Sequence, residues 1–204
     1  MLKRFIIFGC IITLLVSGNM YGAASSKPID IKKCSELRQI ICDKNFDEET
    51  KKNKILQLIN EGADINVSIN QWMPLSLAIN QGLSLNFIQF LINDLQADPS
   101  AGFGNQSTDP SILILPQNRV PMFAAIIYDY NDALNLFCTT YPQIIPFIVW
   151  FALKAKKFEI VNLYEEKISD EVHKNDLKQL PEYKTYQEWL IIKAQCPNAN
   201  VGLF

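Results

Sequence analysis

Few residues in this chain could do covalent or acid–base chemistry: one histidine, His173, and five cysteines at positions 10, 34, 42, 138 and 196. A nucleophile needs a base within hydrogen-bond reach, so a single histidine allows at most one imidazole-based dyad, with Cys138 or Cys196 as partner. No G-x-S-x-G elbow is present to hold an activated serine. His173 stands in a charged, helix-compatible stretch, where an imidazole is ordinarily solvated. Metal chemistry has no better footing, since neither C-x-x-C nor H-x-x-x-H spacing occurs. Gly102-Phe103-Gly104 lacks the third glycine of a phosphate-cradling loop and the apolar strand that should precede it. Glu48-Glu49 and Glu165-Glu166 read as helix-surface charges. The expectation is a protein with no catalytic residues, no cofactor and no metal.

The elements that position these residues begin with an export signal. Lys3 and Arg4 precede an apolar run from Phe5 to Val16, and Gly22-Ala23-Ala24 supplies the small residues a signal peptidase reads. The competing reading is an uncleaved anchor, but a spanning helix needs about 20 apolar residues and Ser17, Gly18 and Asn19 dilute this run. Cys10 lies too close to Arg4 for a lipoprotein signal. Cleavage before Ser25 leaves a chain long enough for one substantial core. The signal takes two of the 19 basic residues and none of the 21 acidic ones, so the mature chain is mildly acidic. Lys32-Lys33, Lys51-Lys52 and Lys156-Lys157 are isolated pairs rather than a basic stripe, which argues against nucleic acid. Four cysteines remain after cleavage. Export permits disulfides, but Cys34 and Cys42 on one helix would stand about 12 Å apart, too far to bridge. Buried free thiols are the simpler reading, and a link from Cys34 or Cys42 to a distant cysteine stays open.

Between residues 31 and 167 the chain repeats itself. Leu58-Ile59-Asn60-Glu61-Gly62-Ala63-Asp64-Ile65-Asn66 is echoed by Leu91-Ile92-Asn93-Asp94-Leu95-Gln96-Ala97-Asp98-Pro99, with 33 residues from Leu58 to Leu91 and 34 from Ala63 to Ala97. Met73-Pro74-Leu75-Ser76-Leu77-Ala78 is echoed by Val120-Pro121-Met122-Phe123-Ala124-Ala125. Proline suits a first helical position and glycine a left-handed helix end. The segment 100–118 exceeds the period and has loop chemistry up to Pro110, followed by an apolar run, Ile112 to Leu115. It is either a partner-contacting finger or a tolerated surface insertion. Ala125 to Ala152 is 27 residues, so the connection marked by Tyr141-Pro142 is shortened.

These segments resemble ankyrin repeats, with their 33-residue period and T-P-L-H-x-A signature. Met73 and Val120 stand where that signature has its capping threonine. Ser76 and Phe123 stand where it has the histidine that ties repeats together. Glu159-Ile160-Val161-Asn162-Leu163-Tyr164 resembles the family's E-I-V-x-L-L. The resemblance implies an all-α repeat solenoid, an ankyrin-type helix-turn-helix stack of about four repeats, two of them divergent, with a C-terminal capping helix. The expected organisation is a signal peptide over 1–24, a repeat domain over 25–167 with its insertion at 100–118, and a helical cap over 168–204. The first repeat is read as a helix from Ile31 to Asn45, with Leu37, Ile40 and Ile41 on its apolar face, paired with one around Ile55 to Ile59. In the cap, Asp170 to Leu180 is charged and helical, and Tyr183, Tyr186, Leu190 and Ala194 recur on one stripe.

Ankyrin domains bind other proteins and lack activity of their own. The resemblance therefore implies an exported protein, secreted or periplasmic, that holds a protein partner through its concave face and hairpin loops. By register with Ala78 the contact positions are Asn70, Gln71, Trp72, Asn80 and Gln81. By register with Ala125 they are Asn118, Arg119, Ile127 and Tyr128, followed by Lys154. Trp72, Arg119 and Tyr128 are of the types that carry binding hot spots. The opposing reading places Trp72 under the hairpin and Tyr128 over the insertion. At the level of function the alternative is a structural or envelope-associated helper with no host partner.

Overall fold

A computed structural model describes residues 28–70, 72–102 and 120–195. The proposed signal, Gln71, Asn118, Arg119, Cys196 and nearly all of the 100–118 insertion lie outside the described residues. Those residues fold as all-α, and among them the sole β-type pairing is an isolated antiparallel bridge between Ile69 and Trp72. The chain divides into two compact units, 1–124 and 125–204.

The first unit opens with α1 (Ile31–Cys42) and α2 (Glu48–Asn60). Asp30 starts α1 by accepting the Lys32 and Lys33 N–H groups at 2.9 and 3.2 Å. Asp47 starts α2 by accepting from Thr50 at 2.7 Å. Each satisfies donors that have no intrahelical partner. Cys34, Leu37 and Ile41 form the buried stripe of α1. The helix ends three residues before the expected Asn45, and Ile40 is only half-buried, because the 3.6-residue period carries the stripe back to Cys34 instead. Buried Lys51 of α2 donates to the Ile41 carbonyl at 2.9 Å, closing the end of α1.

The second pair is α3 (Pro74–Asn80) and α4 (Leu85–Gln89), and α4 continues as a π-helical turn over Phe90–Asp94. That turn accounts for the extra residue between Ala63 and Ala97. After α2, the Ala63 N–H donates to Leu58 O, five residues back; after α4, the Ala97 N–H reaches six residues back to Leu91 O at 2.8 Å. Widening one turn keeps Leu58 and Leu91 equivalent at the cost of a strained helix end. α1 packs on α3, so the first helices of the two pairs are neighbours.

α5 (Pro121–Ile127) crosses the boundary between the units. The second unit continues with α6 (Asn131–Thr140), α7 (Ile145–Lys154), α8 (Phe158–Tyr164), α9 (Glu171–Lys178) and α10 (Pro181–Gln195). Between α6 and α7 the chain turns by 117° through a single 3-10 turn at Pro142–Ile144, the shortened connection expected at Tyr141-Pro142. α7 is apolar on nearly all sides and correspondingly buried, from Ile145 through Phe147, Ile148, Val149, Phe151, Ala152 and Leu153. Among the described residues no single helix is long and apolar enough to cross a membrane.

α10 packs on α7, but through a different stripe from the expected one. Tyr183, Tyr186 and Trp189 are buried, whereas Leu190 is half-buried and Ala194 exposed. Tyr186 and Trp189 each lie about 6 Å from Phe158, and Tyr183 meets Tyr186 edge-on at 5.6 Å. Rings three residues apart bury more apolar area than a leucine and an alanine on the adjacent flank, and that sets the rotation of the helix. Leu163 of α8 likewise points outward at 46% exposure, while Ile160, Val161 and Tyr164 form the buried face.

Candidate functional site

Three helices, one beginning each of three successive helix pairs, end in the same backbone device. After α3, Gly82 takes φ +67°, its N–H donates to Ile79 O, and the next N–H, of Leu83, donates to Ala78 O. After α5, Asp129 at φ +53° donates to Ile126 O and Tyr130 to Ala125 O. After α7, Lys156 at φ +56° donates to Leu153 O and Lys157 to Ala152 O. This is the Schellman arrangement, in which one left-handed residue lets two N–H groups satisfy the last carbonyls of a helix. The residue just before the left-handed position sits at the helix end, facing out: Gln81, Tyr128 and Ala155.

The sequence-predicted contact residues fall on this device or at its opposite pole. Asn80, Ile127 and Lys154 are the final helical residues of α3, α5 and α7, and Gln81 and Tyr128 follow the first two. Gln81 is exposed, Tyr128 is 43% exposed, and Asn80 and Ile127 are half-buried. Trp72 lies elsewhere. It closes a tight hairpin with Ile69 through two backbone hydrogen bonds of 3.1 Å, around Asn70 at φ +51°. The seven residues of α3 separate it from Asn80 by about 10 Å, so Trp72 does not join Asn80 and Gln81 in one patch. Trp72 itself is half-buried.

Lys154 is occupied. Its ammonium donates to both oxygens of Glu182 at 2.8 and 2.9 Å, holding the start of α10 at the end of α7. Burial works against the Glu182 charge, but that bond and a backbone N–H keep the carboxyl below the usual range. Two further links join successive inter-helix turns, one in each unit. In the first, Glu48 accepts the Ser84 N–H at 2.7 Å and the Ser84 hydroxyl as well. In the second, Lys157 donates to the Asp129 carboxylate at 2.7 and 2.8 Å. These links escaped the reading of the sequence, although Asp129 and Lys157 stand 28 residues apart, one more than Ala125 and Ala152.

At the hairpin side of the first unit, Asp64 and Asp98 make matching turns, accepting the Asn66 and Ser100 N–H groups at 2.8 and 2.7 Å. Asn66 bridges them, donating to Gln96 O and accepting from the Asp98 N–H. Ser76 is fully buried and donates to Met73 O at 2.9 Å within its own helix start, so it makes no tie to a neighbouring pair through that hydroxyl.

Cys34, Cys42 and Cys138 are free thiols. Cys34 accepts the Asp64 N–H at 3.3 Å and anchors that turn. Burial pushes the Cys138 thiol up to about 11, against the opposing effects of Lys167 and the Tyr164 hydroxyl, so it is protonated at neutral pH. Tyr164 donates to Asn135 at 2.6 Å, and burial with the neighbouring Cys138 raises its pKa above that of an ordinary phenol. His173 pairs through Nδ1 with Asp170 at 2.7 Å at the start of α9. Among the described residues no three His, Cys, Asp or Glu side chains gather to hold a metal. No protein-family model matches the chain, and neither a curated protein nor a solved structure matches it at a significant level.

Proposed function

We propose that this chain is an exported ankyrin-type repeat protein that binds another protein and catalyses nothing itself. What supports the reading is the recurrence of one helix end at Ala78, Ala125 and Ala152, each with its left-handed residue four positions later. A chain that repeats a backbone device while changing the side chain beside it, glutamine at 81, tyrosine at 128 and alanine at 155, keeps a scaffold and varies a surface. Tyr128 and Gln81 are the contact residues favoured here, with Trp72 at the hairpin as a separate anchor. Lys154 serves the cap through Glu182 rather than the partner.

The test is capture of the partner in the native host. A photo-crosslinking residue placed at 128, and separately one placed at 81, should each yield an adduct, whereas one at Asn175, an exposed position on α9, should not. A Trp72→Ala/Tyr128→Ala double variant that folds normally should lose the captured protein. Retention of every partner by that variant rejects the surface, and adducts from 175 alone move binding to the cap.

A further inference from the structure

The second helices of the first unit enclose a groove that shares no residue with the surface just described. Glu48 at the start of α2 holds Ser84 at the start of α4, and one turn further on Lys52 lies over the Phe90 ring, 5.7 Å from its centre. The two helices therefore run side by side in the same direction. Between them is an open furrow of about 450 Å³. Asn53 lines it from α2, and Asn86, Gln89 and Asn93 line it from α4 and its π-helical turn. The last three recur at i, i+3 and i+7, one face of a helix. None of the four carboxamides hydrogen-bonds a described residue through its side chain. Glu49 and Asp94, at opposite ends of the furrow, have no ion-pair partner among the described residues.

We propose that this furrow binds an extended, basic peptide segment through its backbone. A carboxamide presents a paired donor and acceptor, the complement of a peptide group. Four of them beside a channel can hold backbone N–H and C=O groups without regard to side chains. The furrow also holds one cation, Lys52, drawn over the Phe90 ring; the two carboxylates at its ends outnumber it and select cationic flanks. The helix register sets Glu49 and Asp94 about 12 Å apart along the axis, matching cationic side chains four residues apart, on one face of an extended chain. A glycan fits less well, because the one aromatic ring in the furrow, Phe90, is 7% exposed and covered by Lys52. The unpaired carboxylates also disfavour a phosphate backbone.

The probe is a fluorescein-labelled nonapeptide of serine, threonine and valine with two arginines four positions apart, titrated with the full chain by fluorescence polarisation. Binding in the range of roughly 10–100 µM is expected for so short a contact. N-methylation of the central backbone amides should weaken it about tenfold, and glutamates in place of the arginines should abolish it. An Asn86→Ala/Asn93→Ala variant, altered only at exposed positions, should lose about tenfold, while the Trp72→Ala/Tyr128→Ala variant should bind the peptide unchanged. In the nitrogen–proton spectrum the peptide should shift the side-chain amide signals of the furrow. Absence of binding below 1 mM, indifference to N-methylation, or shifts of those signals by an oligosaccharide panel instead of the peptide would each overturn the proposal. Failure here leaves Tyr128 and Gln81 standing as contact residues, because the two sets of variants share no residue.

Discussion

The two units secure their helices by different means. In the first, α1, α2 and α4 each begin at an Asp or Ser whose side chain accepts a backbone N–H of the first turn: Asp30, Asp47 and Ser84. In the second, α6, α7 and α8 begin at Tyr130, Ile144 and Lys157, none of which caps with its side chain. Those helices are held by the rings packed between them, with Phe137, Phe151 and Tyr164 fully enclosed. Both units bury an apolar core, with Leu37, Ile41, Ile55, Phe87 and Leu91 fully enclosed in the first. Side-chain caps are what α1, α2 and α4 add, whereas in the second unit α9 has one at Asp170 and α6 to α8 have none. Loss of caps and acid should be felt first in α1, α2 and α4, and a cavity among the rings in α6 to α8.

The sharpest way to break this comparison is a cavity. Phe151→Ala should cost about 3–5 kcal/mol, read from urea unfolding followed by circular dichroism, with the loss of protection against hydrogen exchange concentrated in α6 to α8. Equal loss in α1 and α2 would mean that the two units do not differ in kind. Next in size is the left-handed turn. Gly82→Ala places a Cβ at φ +67° in open space, so strain alone is tested, and it should cost about 1 kcal/mol. The cap Ser84→Ala should cost about 1 kcal/mol and be felt first in α4 and α2, since Ser84 also holds Glu48. In the opposite direction, Lys156→Gly relieves a non-glycine residue at φ +56° and should gain about 0.5–1 kcal/mol. A loss there would show that the lysine side chain outweighs the strain of its backbone.

The smallest effect is on pH. The Thr50 N–H holds Asp47 below the usual carboxylate range, and Glu61 is held low by the Lys33 ammonium and by Gln57. A carboxylate depressed in the folded state contributes stability that is complete above the unfolded value of about 4 and disappears as pH falls through the folded value. Protection of α1 and α2 amides, corrected for intrinsic exchange, should accordingly decline from about pH 4 downward, ahead of α6. An earlier decline in α6 would reverse the assignment of polar caps to α1 and α2 and packed rings to α6.

Much of the fold was legible from residue types and spacing. Pro74 and Pro121 mark helix starts and Gly62 marks a left-handed end, and each of these follows from the restricted or permissive backbone of the residue itself. The all-α class was what the resemblance to ankyrin repeats implied. Tertiary structure decided what local rules leave open. Asp129 and Lys156 adopt the conformation of Gly82 without being glycine, because the helices on either side must reverse there and a burial gain of several kcal/mol exceeds a strain of one or two. The extra residue before Ala97 could have lengthened a loop; it was wound into a π-helical turn because Leu91 had to keep its buried place. In α10 the spacing allowed either of two stripes, and the rings prevailed because Phe158 was there to meet them. The candidate contact residues were read by register as hairpin tips and exposed positions of first helices; that Asn80, Ile127 and Lys154 end their helices was left to the structure. That Trp72 stands at the far end of α3 from Asn80, and that Lys154 is taken by Glu182, depended on which neighbours the fold brought within reach. Sequence period assigns residues to faces, but only the packed neighbour determines which face is covered and which is left to bind.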